Sequence, residues 1–276
     1  MSNLVARVLT AVVAVPILLA AIFWSNPLAV YAIVFLATGI GLREWVNMTM
    51  PGSSVGERAL VVALGLALSA QLYFRTGDGL GLALGLALGL IFVMVFVLLR
   101  YGTIETVATR VGAAVAGWIY VAVLLVFVAL LKKRGPDGGW WVLLTLTCVW
   151  FSDTGAYFAG RFLGPTFPQK LYEAMSPKKT RVGAVGGLAA SGLALVLAKL
   201  LYLPGLGWLD CALVAVPANL LGQIGDLCES MLKRSVGVKD SGALLPGHGG
   251  MLDRIDALLF AAPYVYAYAT FCYGRP

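Results

Sequence analysis

Gly79–Leu99 reads GLGLALGLALGLIFVMVFVLL, without a charged residue and without a hydroxyl or amide side chain. Crossing a hydrocarbon core about 30 Å thick takes about 20 such residues. No water is present at that depth to satisfy backbone N–H and C=O groups, so the run must be helical, and nothing near it alternates with the period of a barrel strand. Outward from it, apolar stretches of similar length occupy 4–24, 28–48, 59–74, 111–131, 140–160, 183–203, 208–228 and 254–273. The sequence therefore predicts an all-α, polytopic integral membrane protein with about nine transmembrane helices. Within the opening stretch Gly81, Gly85 and Gly89 recur every fourth residue, and Gly65 and Ser69 repeat the spacing. Small residues at that interval line one helix face and predict close helix packing without chemistry.

Composition agrees. Of the 276 residues 60% are hydrophobic and 12% charged, and the mean hydropathy is +0.90; soluble domains run at about 45–50% apolar and about 25% charged. A soluble globular protein and a disordered chain are both excluded. The net charge of +7 comes from 20 Lys and Arg that flank apolar runs. They form no basic stripe with interleaved aromatics, so no nucleic-acid partner is expected. Cys148, Cys211, Cys228 and Cys272 are widely separated in or beside apolar runs, which predicts small buried hydrophobes and neither disulfide nor zinc site. Arg7 before the run to Trp24 resembles a signal peptide, yet the run is long and no A-x-A site follows it; an uncleaved first span is expected.

The expected organisation is one membrane-embedded domain over 1–276, with an N-terminal helical packing region, 1–135, and a catalytic region, 136–276. Two long polar loops, 161–181 and 229–254, are separated by two spans and so share a membrane face, which their positive charge assigns to the cytoplasm. That count puts the N-terminus inside and the C-terminus outside. It also puts Lys132-Lys133-Arg134 outside, against the positive-inside rule.

The chemistry concentrates in those loops. Asp253 and Asp256 stand three apart at a helix start and share a face, while Asp226 ends the preceding span. In an antiparallel hairpin the three carboxylates would converge at the cytoplasmic rim as hard oxygen ligands for Mg²⁺. The alternative is that Asp253 caps its helix and Asp256 pairs with a lysine. Ser176-Pro177-Lys178-Lys179-Thr180-Arg181 places cations and hydroxyls before Gly183 and Gly186-Gly187, a helix start where a phosphate could approach backbone N–H groups; alone, it could equally be an anchor to anionic lipid. Asp153, beside Ser152 in an apolar run, needs a partner, either nucleotide or a cation such as Arg161. His248 reads as a loop residue donating to phosphate or as a general base.

The run Ser230-x-x-Lys233-Arg234-x4-Lys239-Asp240-x-Gly242-x-x-Leu245-Pro246-Gly247-His248-Gly249-Gly250-x-x-Asp253-Arg254-x-Asp256 resembles the signature of phosphatidate cytidylyltransferases, the CDP-diacylglycerol synthases. Ser152–Tyr157, Ser176–Thr180 and Arg7 with Thr10 add to the resemblance. It implies reaction of CTP with phosphatidic acid to give CDP-diacylglycerol and pyrophosphate. Asp226, Asp253 and Asp256 would hold Mg²⁺, alone or with a second metal ion. Lys178, Lys179, Lys233, Arg234, Lys239 and Arg254 would bind phosphates. Asp240 and His248 join the catalytic set, and Asp153, Ser176, Thr180, Ser230, Gly249 and Gly250 the substrate-binding set. The resemblance further implies a homodimer in a bacterial inner membrane, active site facing the cytoplasm. Other readings are a related lipid or prenol cytidylyltransferase or kinase, a CDP-alcohol phosphotransferase, and a transporter. No Gly-x4-Gly-Lys-Ser/Thr loop favours ATP, and the acids gather at one rim rather than at mid-membrane.

Overall fold

The computed structural model describes residues 3–100, 104–242 and 249–273, with side chains from Val12 onward except Arg100. His248 and the side chains of Arg7 and Thr10 lie outside the described residues. Every stretch predicted to span is helical among the described residues: α1 (Asn3–Phe23), α2 (Leu28–Thr49), α3 (Val55–Phe74), α4 (Gly79–Arg100), α5 (Val107–Gly117), α6 (Leu124–Lys133), α7 (Gly138–Leu163), α8 (Arg181–Leu201), α9 (Trp208–Ser235) and α10 (Leu252–Phe271). A π-helical turn, Trp118–Val123, joins α5 to α6 in one stretch from Ile104 to Lys133. Among the described residues seven segments are long and apolar enough to cross a membrane, where nine were expected. In α10 the charges of Asp253, Arg254 and Asp256 and three tyrosines reduce apolarity.

The chain forms two compact units. The first comprises Met1–Ala129 with Val236–Arg254. Its core is built by seating indoles on small residues. Trp118, fully buried, donates from Nε1 to the Val61 carbonyl at 2.8 Å, and a Cβ at Gly65 would come within 2.9 Å of its ring. Trp45 donates to the Ala113 carbonyl at 2.8 Å and occupies the space beside Gly117. Ser54 caps α3 by accepting the Glu57 N–H at 3.1 Å. Glu57 in turn pairs with Arg110 of α5 at 2.5 Å, both buried, so that each charge offsets the other.

The second unit comprises Leu130–Ser235 with Ile255–Pro276. Within it α7 and α8 pack backbone to backbone, because glycines remove the side chains that would separate them. A Cβ at Gly186 would lie 2.9 Å from the Gly155 carbonyl oxygen, one at Gly183 3.0 Å from that of Ala156, and one at Gly187 3.0 Å from that of Ser152. Gly186 and Gly187 are thereby spent on α7, where a phosphate approach had been expected. The loop between these helices is more ordered than its composition suggests. It folds into an antiparallel hairpin of β1 (Lys170–Tyr172) and β2 (Ser176–Thr180), and β2 runs directly into α8.

Candidate active site

In the second unit, α7, the hairpin, the start of α8 and the middle of α9 enclose a cavity of about 460 Å³. Thr180 makes the junction rigid. Its extended backbone ends β2, and its hydroxyl accepts the Gly183 N–H at 3.1 Å as the N-cap of α8. The two preceding residues, Lys178 and Lys179, therefore reach the cavity wall beside a helix N-terminus, as does Arg161 from the last turn of α7. Arg161 donates to the Tyr157 hydroxyl at 2.9 Å. Three cations beside the positive end of a helix dipole favour an anion there on electrostatic grounds.

Carboxylates meet them there. Asp226 of α9 lines the cavity and pairs with Lys179, and Asp153 of α7 lines it from the opposite helix. Gly225 brings α9 against α10: a Cβ there would fall 2.6 Å from the Asp256 carbonyl oxygen. Asp256 thus sits at the level of Asp226, and its carboxylate is within electrostatic reach of Asp226, Glu229 and Asp153. Lys233, expected to bind phosphate, is buried and pairs one helical turn back with Glu229 at 2.6 Å. The sequence reading had not singled out Glu229.

The signature residues from Lys239 to Arg254 that the structure describes fall in the first unit, where they shape a loop. Asp253 accepts the Gly250 N–H at 2.8 Å and the Ser241 N–H at 3.1 Å, which closes the segment that carries Lys239 and Asp240 onto the start of α10. Gly249 has φ +73°, a conformation L side chains rarely adopt. A residue missed by sequence reading organises the same turn. Glu44 of α2, buried, accepts the N–H groups of Met251 at 2.8 Å and Leu252 at 2.9 Å and the Ser241 hydroxyl at 3.1 Å. Only glycine fits at 250, since a Cβ would lie 2.6 Å from Glu44 Oε2. The one available signal was a carboxylate within an apolar run. Ser230 is half-buried on α9, and Arg234 and Arg254 are exposed.

A metal can be tested against these donors. Among the described residues no three acidic, histidine or cysteine side chains are grouped to hold an ion. The second unit supplies two carboxylates, Asp226 and Asp256, on helices that Gly225 holds in contact. That suits Mg²⁺, which takes one or two carboxylates and completes its shell with substrate phosphates and water. Asp253 is already engaged by two backbone N–H groups.

The model of the cytidylyltransferase family matches residues 5–272. Curated proteins named phosphatidate cytidylyltransferase are similar: one from Brucella suis is 42% identical over 158 residues, and one from Bacillus subtilis is 37% identical over 160. Each match covers 57% of this chain and 57% of the relative. A Synechocystis protein of the same name is 45% identical over 132 residues, 48% of this chain and 43% of its own length. The aligned stretch thus spans about half the length of these relatives. With a family match running through all the described helices and a cavity of cations facing carboxylates, the chain belongs to the cytidylyltransferase family.

Proposed function

We propose that this protein transfers the cytidylyl group of CTP to phosphatidate, releasing pyrophosphate and leaving CDP-diacylglycerol in the bilayer. The observation that carries the reading is the cavity in the second unit, where Lys178, Lys179 and Arg161 flank the N-terminus of α8 and face Asp226. The names of the relatives supply the substrate pair. A phosphatidate oxygen attacks the α-phosphorus of CTP, forming a new P–O bond, and the bond from that phosphorus to the bridging oxygen breaks as pyrophosphate leaves. The attacking phosphate is already ionised and needs no base, so His248 serves better as a donor than as a proton acceptor. Lys178, Lys179 and the positive end of the α8 dipole stabilise charge on the phosphates as it shifts toward the leaving group. Asp226 and Asp256 would hold Mg²⁺, which neutralises phosphate charge when bound. Asp226 also keeps Lys179 aimed at the cavity.

The same reading places the protein in a bacterial cytoplasmic membrane as a homodimer, with the cavity open to cytosolic CTP. For Lys132-Lys133-Arg134, a cysteine at Pro136 should be labelled from outside the cell; labelling from the cytoplasmic side alone contradicts nine spans. Activity tests the reaction. Purified protein in detergent with Mg²⁺ should turn over CTP or dCTP and phosphatidate but use ATP far less, and chelation should abolish turnover until Mg²⁺ is restored. Comparable rates with ATP would point to a lipid kinase.

A further inference from the structure

Behind the cavity a chain of amides and hydroxyls runs into the apolar interior of the second unit. At its inner end Ser191 donates its hydroxyl hydrogen to the Cys148 carbonyl at 3.0 Å. The Ser191 oxygen must then accept, so the group facing it at 3.1 Å is the Asn219 amide nitrogen, which also donates to Ser152 at 2.6 Å. The Asn219 oxygen, left as acceptor, takes a hydrogen from Gln223 Nε2 at 2.8 Å. Gln223 Nε2 gives its second hydrogen to the Ala184 carbonyl at 3.1 Å. Backbone carbonyls at both ends fix the direction of every bond, and the two ends agree. A primary amide has two hydrogens, and Gln223 has spent both.

Gln223 also lines the cavity, between Ala184 and Asp226. Its remaining hydrogen-bonding capacity is Oε1, an acceptor that cannot be turned into a donor without breaking the chain behind it. An acceptor repels phosphate oxygens. Its complement is a hydrogen-bond donor, and of the two proposed substrates only the nucleotide carries one, because both remaining glycerol hydroxyls of phosphatidate are esterified. We infer that Gln223 is a specificity-determining residue whose Oε1 accepts a hydrogen bond from the nucleoside moiety of CTP, either the cytosine exocyclic amine or a ribose hydroxyl. The inference rests on the proposed reading for the identity of the nucleotide.

Titration calorimetry of the purified protein in detergent tests it, because binding needs no turnover. Wild type and Gln223→Met are titrated with CTP, UTP, 2′-deoxy-CTP and 3′-deoxy-CTP. Methionine keeps the shape and loses the acceptor. Wild type should bind one analogue roughly tenfold more weakly than CTP, the size of one unpaired group in a buried site. UTP in that role identifies the amine, and a deoxynucleotide identifies the hydroxyl it lacks. In the variant that gap should close through weaker CTP binding, while the KM for phosphatidate stays unchanged. A ratio of affinities does not depend on the fraction of folded protein. A variant that keeps every wild-type gap, or whose loss falls on phosphatidate, overturns the inference. Wild-type binding of CTP without any lipid product would instead overturn the proposed reaction and leave Gln223 standing.

Discussion

Glycine lines helix faces in both units and does opposite work. On α4 the regular stripe of Gly81, Gly85 and Gly89 receives side chains: Gln71 and Leu68 of α3 crowd Gly85, and the Trp118 ring lies over Gly89. On α7 and α8 the less regular set of Gly155, Gly183, Gly186 and Gly187 meets main-chain atoms of the partner helix. Side-chain ends can shift when a methyl is added; a carbonyl in a helix cannot. The first arrangement is adaptable packing. The second fixes α8, and with it Thr180, Lys179 and Lys178, to within the tolerance a phosphate site needs.

The largest expected effect breaks the comparison at its functional end. Asp256→Asn keeps size and hydrogen bonding but removes charge, so turnover should fall roughly 10³-fold or more with the fold intact. The alternative, a pairing of Asp256 with a lysine, would leave turnover nearly unchanged. Full activity in a folded variant would remove Asp256 from the reaction. Next, Lys179→Glu should cost roughly 10²-fold in kcat/KM, the worth of one preorganised charge contact to the phosphates. Lys132→Glu, at the end of α6 and outside the cavity, should change little. Equal, mild losses at both lysines would return the basic loop to a lipid anchor.

The smallest effect sharpens the comparison directly. Gly186→Ala forces a methyl against Ala159 and the Gly155 carbonyl and should cost about 1–3 kcal/mol of stability. Gly85→Ala meets only the flexible ends of Gln71 and Leu68, at 2.5 and 2.8 Å, and gains helix propensity worth about 0.5–1 kcal/mol, so it should be neutral or better. Thermal unfolding in detergent reads both. Equal destabilisation would erase the distinction between the two glycine sets.

Much of this fold was legible because a bilayer allows little besides helices: each predicted span from 28–48 to 208–228 coincides with an apolar helix long enough to cross. The motif residues Asp153, Lys178, Lys179 and Asp226 stood out because charge is rare in such a composition, and the structure gathers them around one cavity. What stayed hidden depended on direction and distance. The hairpin at Lys170–Thr180 has too little apolar alternation to announce strands. Asn219, Gln223 and Asp226 share a face of α9 at spacings of four and three, a polar stripe visible in the sequence, yet its hydrogen-bond polarity needed the carbonyls of Cys148 and Ala184. Glu44 lies some two hundred residues from the turn it holds, beyond the reach of any local pattern.

The central claim concerns which phosphorus is attacked. Purified protein is incubated with phosphatidate, Mg²⁺ and CTP radiolabelled at either the α- or the γ-phosphate, and lipid is extracted. Cytidylyl transfer predicts that α-label enters the lipid fraction while γ-label remains in water as pyrophosphate, and that Lys179→Glu strongly slows the α-transfer. Label from the γ-phosphate in lipid, or none from the α-phosphate, would contradict it.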